Sequence, residues 1–122
     1  MKLDARCNWD GVELELSISP KGLFSLASAL RQDEYGQYEI KKHDGGYSML
    51  KLECCTGLID LVVSESSVIL KGGRQSFELL ADNLDFLRRQ WVDGGKQHLH
   101  IDSDSNPLLV SAESEVLVIS ML

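Results

Sequence analysis

The hydrophobic periodicity of this chain is laid down twice, and that repetition constrains the fold more than any single motif. Over Val12–Ser19, Leu14, Leu16 and Ile18 alternate with Glu13, Glu15 and Ser17, which predicts a half-buried strand. Pro20 ends it. Leu23, Leu26, Ala27 and Leu30 then fall at helical spacing within Lys21–Gln32. Three strands are expected next: one around Tyr38 and Ile40, one over Tyr47–Cys55 after the Asp44-Gly45-Gly46 turn, and one over Leu58–Ser64. The order then recurs. Val68 and Leu70 mark a strand, and Phe77, Leu80, Ala81, Leu84 and Leu87 mark a helix over Gln75–Gln90. Strands are expected over Gln97–Asp102, Leu108–Ala112 and Val116–Met121.

Read this way, the chain is β-α-β-β-β twice, in units 12–64 and 67–122, within one domain spanning 1–122. Leu14, Leu16 and Leu26-Ala27 fall on Val68, Leu70 and Leu80-Ala81, 54 residues on. Past the helix the offset grows to about 61, where Tyr38 and Ile40 meet Leu99 and Ile101. Strands and helices must cover each other's apolar faces. The expected fold is therefore α+β: a mostly antiparallel sheet of about eight strands with two helices on one face. The run Leu58–Leu70 reads as a hairpin across the junction, joining the two half-sheets.

Charge narrows the partners. Twelve Lys plus Arg against nineteen Asp plus Glu give a net charge of −7. That argues against a nucleic-acid binder and against docking on anionic membranes. The N-terminus lacks an apolar leader pattern, and the three cysteines include the adjacent pair Cys54-Cys55, for which an unstrained disulfide is hard to form. We therefore expect a cytoplasmic protein with free thiols, one of Cys54 and Cys55 being buried.

The β-α-β-β-β order, used twice, resembles one domain of the DNA sliding clamps. That likeness implies a fold and, through exposed sheet edges, a self-associating module. It does not imply DNA encirclement, because the polar helix faces mix Lys21, Arg31, Arg88 and Arg89 with Glu78, Asp82 and Asp85. A second resemblance lies in the C-terminal half. The run Phe77-Glu78-Leu79-Leu80-Ala81, then Gly94-Gly95, His98-Leu99-His100-Ile101-Asp102 and the closing Glu115-Val116-Leu117-Val118-Ile119 is similar to immunity-protein family 32 of bacterial polymorphic toxin systems. The resemblance implies a small protein that binds a toxin and blocks it without catalysis.

The residues offer a matching surface. His98, His100 and Asp102 alternate, so on a strand all three would leave one face. From Asp93 on, the acids Asp93, Asp102, Asp104, Glu113 and Glu115 face Lys96 alone, so −4 of the net −7 sits there. Acidic clusters steer basic partners. The expected partner-binding residues are thus His98, His100, Asp102, Asp104, Glu113 and Glu115, and the expected partner is a basic toxin. No cofactor is expected. His98, His100 and Asp102 are the candidate ligands should a transition metal bind, which would make a metal-dependent enzyme the third reading. Trp9 and Trp91 are candidate interface anchors. Lys71-Gly72-Gly73-Arg74 precedes a helix but lacks phosphate-loop spacing. No nucleophile elbow or catalytic triad can be drawn.

Overall fold

An element absent from the expected order opens the chain. In Lys2–Trp9, Leu3, Ala5 and Cys7 are buried while Lys2, Asp4 and Arg6 face solvent, and this stretch is strand β1. Two of its three inward side chains are small, which kept its alternation faint in the sequence. A computed structural model describes residues 2–32, 35–90 and 98–122. After β1 come β2 (Glu13–Ile18), α1 (Pro20–Gln32), β3 (Tyr35–Lys42), β4 (Tyr47–Cys55), β5 (Asp60–Val63), β6 (Ser67–Gly73), α2 (Arg74–Gln90), β7 (His98–Ile101) and β8 (Val116–Met121). The fold is α+β, as expected, with one curled sheet of eight strands in the order β5-β6-β4-β3-β1-β2-β8-β7.

The turn that joins β1 to β2 is held by one carboxylate. Asp10 accepts hydrogen bonds from the Val12 and Glu13 amides, both at 2.8 Å, and Gly11 takes the positive φ of +93° that the turn requires. The bonds from Glu13 and then Val12 favour the charged form and hold the Asp10 carboxyl below its ordinary 3.8. A depressed folded pKa contributes stability above the unfolded value that is lost as pH falls through the folded one. Asp10→Ala should therefore be less stable than the parent at pH 7. The gap should close as the pH drops below 3.8, read by urea unfolding across a pH series. A gap that persisted in acid would contradict this role.

Four expected details are corrected. Leu108–Ala112 is not a strand. The Asn106 carbonyl accepts the amides of both Leu109 and Val110, which curls the chain just after Pro107, and only Val110 forms a bridge, parallel to Ile59. The repeat is accordingly ββαββ: β1-β2-α1-β3-β4, then β5-β6-α2-β7-β8. The hairpin registers recur at the same spacing. Cys7 pairs with Leu16 and Trp9 with Leu14 in the first hairpin, and Leu61 pairs with Leu70 and Val63 with Val68 in the second, each 54 residues on. After the helices β3 aligns with β7 at 63, not 61, and β4 with β8 at 67. Leu14 beside Leu117 matches Val68 beside Leu50, and these partners face Ile101 and Tyr38. A slip of two keeps every side chain on its face, so periodicity alone could not detect it.

The β5–β6 hairpin does not join the halves; it lies at one end of the sheet. The strand order falls into two four-stranded blocks, β5-β6-β4-β3 and β1-β2-β8-β7, each paired antiparallel, parallel, antiparallel. A parallel β3–β1 contact connects them, so four of the seven pairings are antiparallel and three parallel. Each repeat puts its first hairpin in one block and its second in the other, with the helix crossing between them.

Both helices bury their apolar stripes in one core with the strands. Their opposed ends meet. Arg31, in the last turn of α1, reaches Asp82 at 2.8 Å and Asp85 at 2.6 Å on α2, and Arg74, opening α2, donates to the Leu30 carbonyl at 2.6 Å. Toward the start of α1, Phe24 lies 5.5 Å from the Arg88 guanidinium, so the helices run antiparallel. The Arg31–Asp82 pair, exposed on both sides, adds only about 0.2–1 kcal/mol and sets orientation more than stability.

Candidate functional site

The expected surface is built on β7 and on the connection that follows it. On β7, Ile101 is buried and Leu99 half-buried, while His98 and His100 are exposed on the opposite side. The strand ends at Ile101, so Asp102 does not continue the histidine row. Its carboxylate turns to accept the Ser105 amide at 2.7 Å, and its carbonyl accepts the Asn106 amide. The alternation His98, His100, Asp102 is thus broken at its third member. Among the described residues, no three His, Cys, Asp or Glu side chains group closely enough to hold a metal ion.

The connection 102–115 is one-signed: Asp102, Asp104, Glu113 and Glu115 with no Lys or Arg. Two buried residues, Leu109 and Val110, pin it to the core. It then runs along β5. Ile59 N–H donates to the Leu109 carbonyl, Ser111 N–H to the Ile59 carbonyl and Glu115 N–H to the Leu61 carbonyl, and Leu61 N–H donates to Ser114 Oγ at 2.8 Å. These bonds cover the outer edge of β5, one of the two edges through which self-association was expected. They also carry Glu113 and Glu115 to β5, at the other end of the strand order from the histidines. Asp104, Glu113 and Glu115 are exposed and Asp102 is half-buried.

Leu108 was missed by sequence reasoning. In a strand Leu108-Leu109-Val110 would share the burden of burial, but here the chain curls and Leu108 is left 89% exposed. The signal that could have found it is Asn106-Pro107, a turn dipeptide immediately before the apolar run. A fully exposed leucine on a rigid, acidic connection is the kind of apolar anchor that protein interfaces bury.

The remaining candidates fall elsewhere. Trp9 is 38% exposed at the end of β1. Trp91 and Asp93 lie outside the described residues. Beside Trp9 is a depression of about 520 Å³ that includes Cys7, Lys42, His43 and Val63. Burial pushes the Cys7 thiol up, against a smaller opposing effect of Lys42. Of the adjacent cysteines, Cys54 is half-buried against the core and Cys55 exposed; neither is fully buried as expected, and both are free. Gly72 and Gly73 serve packing: Gly73 N–H donates to the Gly57 carbonyl, and Gly72 is crowded by Ile59 and Phe77. No described helix is long and apolar enough to cross a membrane.

No family model, no curated protein and no solved structure matches this chain.

Proposed function

We propose that this chain is a stoichiometric binding protein that blocks a basic protein partner by occupying it, in the manner of an immunity protein that neutralises a bacterial toxin. The observation that carries the reading is the 102–115 connection: four acids, no base and one leucine 89% exposed, on a backbone fixed to β5 by hydrogen bonds. A segment tied down before binding loses little conformational entropy on binding, so its contacts translate into affinity. The acids steer a cationic partner into register, and Leu108 supplies apolar burial at the centre. His98 and His100 precede this connection on β7, at the other end of the strand order from Glu113 and Glu115. Occlusion needs no catalytic group.

The resemblance of the C-terminal half to an immunity family supports the identity of the partner as a toxin. Co-expression with the product of the adjacent gene tests it. The two proteins should co-purify at one to one, and a host that cannot tolerate the adjacent product alone should survive with both. An adjacent product that is harmless, or that fails to bind, would overturn the reading.

A further inference from the structure

A second site opens where the β1–β3 ladder is broken. Lys2 pairs with Glu39 and Arg6 with Lys41, so four steps along β1 match two along β3. Such irregularities part neighbouring strands and recur beside binding sites. Here the gap opens into a groove of about 410 Å³, within the range of small-molecule sites.

Its lining inverts the charge of the molecule. Lys2, Arg6, Lys21 and Lys41 line it against Asp4 and Glu39, so a third of the chain's twelve cations meet in one groove on a protein of net charge −7. Of these four cations, Lys2 alone is engaged in an ion pair with a described residue, Glu39 at 4.0 Å. Arg6 and Lys41 are cross-strand neighbours pointing out of the same face. Like charges placed opposite one another destabilise a sheet. Lys21 enters from the first turn of α1, whose N-terminal dipole adds to the positive field. Tyr47, 56% exposed and the cross-strand partner of Lys41, supplies a ring at the margin.

We infer that this groove binds a small phosphate-bearing anion, its phosphate held between Arg6 and Lys41 with Lys21 closing from the helix. A guanidinium fork and two ammonium groups match phosphate geometry and charge, and the anion removes the Arg6–Lys41 repulsion. The site shares no residue with the 102–115 connection and stands whether or not that connection binds a partner.

Titration calorimetry with inorganic pyrophosphate and with adenosine 5′-monophosphate, at low salt, tests the inference. At least one probe should bind at one to one, and its affinity should fall steeply as salt is added. In Arg6→Gln/Lys41→Gln the affinity should drop at least about tenfold, while the unfolding midpoint without probe stays level or rises because the repulsion is gone. Lys21→Gln, on the helix and outside the ladder, should weaken binding several-fold with no change in fold. No binding of either probe to the parent protein, or binding that survives unchanged in both variants, overturns the proposal.

Discussion

Phe77→Ala should cost the fold about 3–5 kcal/mol, the largest loss expected from any single truncation. Phe77 is fully buried in the first turn of α2, and its ring packs so closely on β6 that a methyl group at Gly72 would come within 3.1 Å of it. The surroundings cannot collapse into the space. Ser76 Oγ donates to the Gly57 carbonyl at 2.9 Å and Arg74 is fastened to Leu30, so this end of α2 is held from both sides. Urea unfolding at neutral pH reads the loss. A cost under about 1.5 kcal/mol would mean that this end of α2 relaxes freely, against the packing described.

Gly22→Ala should also destabilise, although helix propensity argues the other way. Alanine in place of glycine within a helix gains up to about 1 kcal/mol. At Gly22, however, the new methyl carbon would stand 2.6 Å from Ile18 Cγ1 and 2.7 Å from the Asp4 carbonyl oxygen. The second obstacle is backbone, and it is not free to move: the same carbonyl accepts the Ser19 amide, while Ser19 Oγ accepts the Gly22 amide at 3.0 Å as the cap of α1. Overpacking against fixed atoms costs about 1–3 kcal/mol, and the rigid contact places this site at the upper end, so the net change is a loss of about 2 kcal/mol. At Gly72 the one contact under 3.0 Å is with Ile59 Cδ1, the end of a side chain and not backbone, so Gly72→Ala should cost less. Chemical unfolding of the two variants side by side checks the order; a stabilised Gly22→Ala would show that β1 yields at Asp4.

The local elements were legible because each carries its own periodicity. Leu14, Leu16 and Ile18 write β2 in steps of two, and Phe77, Leu80, Leu84 and Leu87 write α2 in steps of three and four. The constant spacing of 54 from β1 through both helices preserved the duplication. What remained hidden lies between elements. Nothing local in Cys7 or Lys42 says that their strands run parallel and join the two blocks. The exchange of hairpins between blocks is likewise invisible to periodicity, yet it interlocks the repeats, since each block needs strands from both. The same division holds at the site. The acidity of 102–115 could be counted in the sequence. That Asp102 turns to Ser105, and that Leu108 rather than Leu109 points outward, follows from a curl set by Asn106 and Pro107 against the bridge at Ile59.

The most direct test of the account is the affinity of the adjacent-gene product for three forms of this protein: the parent, Leu108→Ala, and Asp104→Asn/Glu113→Gln/Glu115→Gln. All four substituted side chains are exposed, so the variants should fold and unfold like the parent. Leu108→Ala should weaken binding at least about tenfold, chiefly through faster dissociation. The neutralised form should associate more slowly, and the salt dependence of its association should largely vanish. Binding that remained at parental strength and parental salt dependence in both variants would contradict the assignment of the 102–115 connection as the partner-binding surface.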